Sequence, residues 1–298
     1  MKRPLFVSSI FIIFSTFAVS ASPEVAKQAE LLAEDGKVDQ AIGFVQESLE
    51  SARTQYEEAE YYILLSRLYF LKGLIMDNRG ARKGEVLKLF SEGENYANRA
   101  IHLDPYDYRA YFWRGSNAGK WGQTKGVFSA LGRVDSMRDD FKKTVELNPG
   151  FSLAWFSLGQ LYEQLPGGIV SFGNDDYAVS LSRKSIDVMR EEIRKSDEEG
   201  LRYNYYVGLA RQLHTRNWDA GTRQDELPKK RKRYREASDV LEKHFYYEGT
   251  KRIGDVSDRE ESKKILDWVI DELSAIPSKN DQQRRYLRLA ERTYDELF

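Results

Sequence analysis

The chain has 298 residues, with 46 Lys and Arg against 47 Asp and Glu, 3 His and no Cys. Without Cys there is no disulfide framework, thiolate nucleophile, iron–sulfur site or Cys-rich zinc site. A formal net charge of -1 argues against general nucleic-acid binding, which needs a large cationic excess over the phosphates, and 13% aromatic residues are too many for a disordered chain.

The first element reads as an address. Lys2 and Arg3 precede an apolar run from Leu5 to Phe17, broken only by Ser8, Ser9, Ser15 and Thr16, and small residues follow in Ala18-Val19-Ser20-Ala21-Ser22-Pro23. A positive end, an apolar centre and a small-residue junction make a secretory signal over residues 1–21. Val19 and Ala21 suit cleavage after Ala21, whereas Ala18 and Ser20 suit cleavage one residue earlier. The run is shorter than the roughly 20 apolar residues of a membrane-crossing helix. No Cys stands at the junction to carry a lipid. The expectation is an exported, periplasmic soluble protein with one domain over residues 22–298.

Apolar residues then recur at helical spacing. Ala26 to Ser48 reads as a helix pair turning at Glu34-Asp35-Gly36-Lys37, with Ala29 and Ala41 as small contacts. Glu57 to Gly73 is a first helix, followed by a polar loop over Asp77 to Gly84. Ala97, Ala100, Ile101 and Leu103 close a second helix that stops at Asp104-Pro105. Tyr106 to Trp121 is a first helix, with Ala110 and Gly115 as its small positions, and Phe141, Val145 and Leu147 belong to the next, which stops at Asn148-Pro149. Ala154 to Tyr162 is a first helix with Gly159 at the small position, and Ala178 to Met189 a second. Glu199 to Leu213 is a first helix with Gly208 small, and Lys230 to Phe245 a second with Ala237 and Leu241 turned inward. Glu261 to Ser274 and Arg285 to Phe298 complete the chain. No stretch alternates as a half-buried strand does. The pattern resembles the tetratricopeptide repeat, in which small residues let paired helices approach. The spacing from Pro105 to Pro149 exceeds a repeat of about 34 residues, so an insertion is expected around Lys120 to Ala130. The expected fold is all-α: a right-handed superhelix of tetratricopeptide-like helix pairs.

Motifs for chemistry are absent or incomplete. Gly168 to Asp175 has phosphate-loop glycines without the Lys and Ser/Thr that hold phosphate and magnesium, and Gly115-Ser116-Asn117-Ala118-Gly119-Lys120-Trp121 lies on an expected helix. His102, His214 and His244 are far apart in sequence, and Asp139-Asp140, Asp175-Asp176 and Glu191-Glu192 point about 100° apart on a helix. No catalytic set, cofactor or metal is expected, and the chain reads as a non-enzyme. The run Lys229, Lys230, Arg231, Lys232 and Arg233 is the densest charge block, either a solvated helix start or a docking patch for an acidic surface. Aromatic and Arg residues on first helices form the candidate partner or ligand surface: Tyr111, Trp113 and Arg114 on one, and Tyr203, Tyr205, Tyr206 and Arg211 on another.

From Ala97 to Met189, about a third of the chain, the sequence resembles a particular family. Ala100-Ile101-His102-Leu103-Asp104-Pro105, Tyr111-Phe112-Trp113, Lys120-Trp121-Gly122, Val145-Glu146-Leu147-Asn148-Pro149 and Leu158-Gly159-Gln160-Leu161-Tyr162 before Leu165-Pro166-Gly167-Gly168 are similar to the exported T-components of tripartite ATP-independent periplasmic (TRAP) transporters. They are more distantly similar to regulators of microtubule dynamics. The first resemblance implies a helical-repeat protein that pairs with a solute-binding protein, forms oligomers and offers a cleft to a ligand. The resulting expectation is an exported scaffold for a protein partner, with a carrier of an apolar or anionic small molecule as the alternative. Homo-oligomers are compatible with either, and nucleic acid with neither.

Overall fold

Small and apolar residues at helical spacing have to be buried against a neighbouring helix, and short polar turns make consecutive helices antiparallel neighbours. The computed structural model describes residues 23–126, 131–167, 171–195, 200–250 and 254–298. The expected signal over residues 1–21 lies outside them, as do Gly168, Ile169 and Val170.

Helices α1 (Pro23–Glu34) and α2 (Val38–Glu50) turn at Asp35-Gly36-Lys37, where Gly36 takes φ +77°, the left-handed region that suits a residue without Cβ. Helix α3 (Gln55–Asn78) is capped by Thr54, whose hydroxyl accepts from the Glu57 N–H at 3.1 Å, and pairs with α4 (Lys83–Leu103). Helix α5 (Tyr108–Lys125) pairs with α6 (Val134–Leu147), which follows a single 3₁₀ turn at Leu131–Arg133. Helix α7 (Ser152–Gln164) pairs with α8 (Asp175–Lys195). Helix α9 (Tyr203–Arg216) ends on Asn217 at φ +56°. Then come α10 (Ala220–Glu236), a short α11 (Val240–His244), α12 (Asp258–Ser274) and α13 (Asp281–Leu297). Capping boxes at Ser257/Glu260 and Asn280/Gln283 start the last two. No strand occurs among the described residues, and the all-α array of stacked pairs agrees with the periodicity. No helix among them is long and apolar enough to cross a membrane.

Three differences from the sequence reading have physical causes. The loop expected over Asp77 to Gly84 shrinks to Arg79–Arg82, because both flanking helices run on. The insertion expected from Lys120 is helix as far as Lys125, so the extra length lies in a long α5 and the connection after it. Most consequentially, Lys230 to Phe245 is not the second helix of the α9 pair. The chain breaks at Ala237, which is extended at ψ +130°, and Asp239 caps the short α11. The helix packed most extensively on α9 is α12, with α8 and α13 also against it. Residues 217–257 therefore form an excursion between the two members of one pair, closed at its base where the Asp258 N–H donates to the Trp218 carbonyl at 2.8 Å.

The apolar core is a row of three clusters. Ala29, Ala41, Val45 and Leu65 anchor the first, Phe70, Trp113, Trp155 and Leu181 the second, and Tyr205, Leu213, Leu266 and Val269 the third. Tyr62 touches the first two and Leu153 the last two, so each pair buries its face against its neighbours in the quasi-linear way of a solenoid. Close approach needs glycine. A Cβ on Gly159 would sit 2.6 Å from Ser182 Oγ, which explains the small position read from sequence. A Cβ on Gly93 would sit 2.3 Å from Asn117 Oδ1. The Asn117 amide there donates to Ser66 Oγ at 3.2 Å and to the Trp113 carbonyl at 2.9 Å, while Ser66 Oγ donates to the Gly93 carbonyl at 2.7 Å. This buried polar knot ties α3, α4 and α5 together. Gly93→Ala should push Asn117 out of it and cost about 2–4 kcal/mol, since buried groups left unpaired cost about 1–3 kcal/mol each. Urea denaturation measures it, and a loss below about 0.5 kcal/mol would show that the knot simply rearranges.

Candidate binding groove

On α5, residues Gly115, Ser116, Gly119, Lys120, Gly122 and Gln123 share one face at helical spacing. On α7, Ser157, Gln160, Leu161 and Gln164 share the face opposite. Val134, Met137 and Phe141 of α6 form an apolar floor between them. The glycines let that floor rise: a Cβ on Gly115 would meet Phe141 at 3.1 Å, and one on Gly119 would meet Met137 at 3.3 Å. The result is a slot of about 70 Å³.

Its polar groups bridge the two helices. Lys120 Nζ donates to Gln123 Oε1 at 2.9 Å, and Gln123 Nε2 donates to Gln164 Oε1 at 3.1 Å. Lys120 is only 6% exposed. Desolvation lowers its ammonium pKa to about 8, against a smaller opposing pull from Asp77. Next to the slot, Gln160 accepts from Arg211 Nη2 at 3.0 Å, while its own buried Nε2 has no hydrogen-bond partner among the described residues. Arg211 also binds the Glu163 carboxylate through Nε and Nη2. Burial works against the Arg211 charge, but Glu163 more than offsets this and holds the guanidinium above its ordinary pKa.

The sequence-derived candidates scatter. Trp113 is a core residue, 1% exposed, edge-on to Phe70 and Phe112. Tyr111 donates its hydroxyl to the Pro105 carbonyl at 3.1 Å and lies under the Arg114 guanidinium. Arg114 reaches Asp140 and Asn98, so it ties α5 to α6 and α4, and it is not among the residues lining the slot. Tyr205 is stacked on Phe156 with centroids 4.3 Å apart, and burial raises its hydroxyl to about 12. Tyr203 is half-buried against Trp268 and Tyr286. Tyr206 is buried edge-on to Trp268, and its hydroxyl accepts from Arg190 Nε at 2.7 Å. None of the seven lines the slot, and Arg211 touches it only through its bond to Gln160.

The basic run also divides. Lys230 is 3% exposed and bonds Asp176 at 2.7 Å, Glu248 at 2.9 Å and Ser180 Oγ at 2.8 Å, which makes it a structural bolt. Lys229, Arg231, Lys232 and Arg233 stay exposed; Lys229 pairs with Glu226, Lys232 with Glu236, and Arg233 lies over Tyr246. Among the described residues no group of His, Asp or Glu is arranged to hold a metal ion. Sequence reasoning passed over Lys120, Gln123, Gln160 and Gln164. The available signal was the common helical register of Gly115, Gly119 and Gly122 with Lys120 and Gln123, hidden under a rejected phosphate-loop spacing.

Comparisons with known proteins bear on the amino-terminal half. The family model for Regulator of microtubule dynamics protein 1-3 matches residues 25–164, from α1 to the end of α7, and so contains both walls of the slot. Regulator of microtubule dynamics protein 1 of Bos taurus is 27% identical over 143 residues, 48% of this chain and 43% of the bovine one. The protein of that name from Pongo abelii is 26% identical over 159 residues, 50% of this chain and 48% of its own. The aligned region thus spans less than half the length of these curated relatives, and the likeness is to the more distant of the two families that the repeat residues resemble.

Proposed function

We propose that the protein is a non-enzymatic helical-repeat scaffold that holds an extended segment of a partner protein along the α5–α7 slot. The size of the slot carries this reading. Small-molecule sites run to roughly 300–1,000 Å³, and about 70 Å³ admits one side chain and little more. Its lining fits a peptide. The amides of Gln123, Gln160 and Gln164 each carry a donor and an acceptor, which match the backbone N–H and C=O of an extended strand regardless of sequence. The Lys120 ammonium adds a preference for a carboxylate on the inserted side chain. The signal-like residues 1–21 support an exported, periplasmic setting, in which a solute-binding protein of a TRAP-type transporter is the favoured partner. The relatives' name supports instead a partner concerned with microtubule dynamics.

Photo-crosslinking from the slot tests the reading. A benzoylphenylalanine at position 164 of the full chain should give discrete protein adducts that weaken in salt and disappear in Lys120→Met. The same group at the exposed Arg288 of α13 should not. Adducts that ignore Lys120, or appear equally from both positions, would remove the slot from consideration. The adduct's identity then decides between the two partner classes.

A further inference from the structure

We propose that a second cleft, between α8, α9 and α12, binds a small organic anion with a flat apolar body. This cleft is independent of the α5–α7 slot and lies beyond residue 164, outside the region matched by the family model. Its volume is about 470 Å³, within the range of small-molecule sites and several times that of the slot. Ile186, Leu209 and Ile265 make an apolar floor, and the edge-on rings of Tyr206 and Trp268, 4.9 Å apart, make a wall. Such a surface favours a planar apolar body.

The charges choose the sign of the ligand. Among the described residues every carboxylate facing the cleft is already committed. Glu261 accepts from Arg183 at 3.0 and 2.8 Å and also pairs with Arg223. Asp187 accepts from the Tyr247 hydroxyl at 2.9 Å, the Thr250 N–H at 2.7 Å and the Thr250 hydroxyl at 2.6 Å. Glu260, one turn before Lys264, is turned back to its own cap at Ser257. Two cations remain on the lining. Arg190 spends Nε on the Tyr206 hydroxyl, and among the described residues no carboxylate lies within ion-pair distance of its guanidinium or of the Lys264 ammonium. An aromatic-walled cleft with two such cations is complementary to a carboxylate or sulfonate on a flat apolar body. Thr250 fixes the rim: Gly249 at φ +79° runs against the Arg183 stem, where a Cβ would meet Arg183 Cβ at 3.3 Å, and delivers Thr250 to Asp187.

Calorimetry with an isosteric series tests the assignment on the full chain. 2-Naphthoate should bind, with neutral 2-naphthamide at least tenfold weaker and the 2-naphthylmethylammonium cation weaker still. Arg190→Gln with Lys264→Gln should remove the preference for the anion while the melting temperature and helical circular dichroism stay unchanged. Ile265→Trp fills the floor and should abolish binding with both cations in place. Equal binding of all three probes, no binding at millimolar concentration, or an unaltered naphthoate affinity in the double variant would each overturn the proposal.

Discussion

Glu261→Ala should destabilise the protein by about 3–5 kcal/mol, the usual cost of removing one partner from a buried ion pair. Glu261 is 2% exposed, and the two guanidinium groups it serves, on Arg183 and Arg223, are each 4% exposed. They belong to a network in which Arg183, Arg216, Arg223 and Lys230 face Asp176, Glu248, Asp258 and Glu261. Among the described residues the signs balance, so taking one carboxylate away leaves a largely buried excess charge. Of a total stability of about 5–15 kcal/mol, this is a large fraction. Guanidinium denaturation would mask the charge effect, so urea is the denaturant to use. The double variant Arg183→Leu/Glu261→Leu should recover much of the loss, since replacing a whole buried pair by apolar groups is often neutral. A Glu261→Ala loss below about 1 kcal/mol would mean that the cluster is hydrated.

Lys120→Met should act in the opposite direction on stability while abolishing partner capture. The folded chain holds the Lys120 proton with a pKa of about 8, against 10.5 for a free lysine. Between these two values the unfolded chain binds more protons, so stability rises with pH through that window. Below about pH 8 the buried charge imposes its full penalty, on the order of 3 kcal/mol at 1.36 kcal/mol per pKa unit. Met removes the charge and also the hydrogen bond to Gln123, worth about 1 kcal/mol. The net gain at pH 7 should be about 1–2 kcal/mol, and it should fade as the pH approaches 10.5. Urea midpoints at pH 7 and pH 10 measure both parts. A variant no more stable than the parent at pH 7 would show that Lys120 is better solvated than the slot allows. A residue that costs stability where it stands and faces a slot is one whose retention function can explain.

Much of the fold was legible, because periodicity and small positions are local. The Ala29/Ala41 pair, the stop at Asp104-Pro105 and the close approach at Gly159 follow from neighbours in sequence. The excursion was not legible. Residues 230–236 form a helix as readily as any repeat helix, and nothing local marks them as lying outside the pairing. The fate of Lys230 depends on Asp176, fifty-four residues earlier, so a run of five cations gave no hint that its second member is a core residue. The aromatic reading failed for a related reason. Tyr205 and Tyr206 are adjacent, yet one stacks inside on Phe156 and the other lines a cleft with Trp268, a difference set by the later α12. The slot escaped notice because it is built from Gln and Gly, residue types that carry no chemical signature until two helices bring them face to face.

The excursion closed by Asp258 and Trp218 has a consequence for the order in which the molecule is made. Arg183 emerges from the ribosome seventy-eight residues before Glu261, its counter-charge. The pairs α1/α2, α3/α4 and α5/α6 pack mainly on helices close in sequence, although α6 also meets the later α11, and they are able to begin closing as they are synthesised. Arg183 on α8 has to wait without its counter-charge until α12 arrives. Completion of the α8–α9 region is therefore tied to the synthesis of α12, and a chain that stops before Asp258 lacks both the helix and the carboxylates that this region packs on.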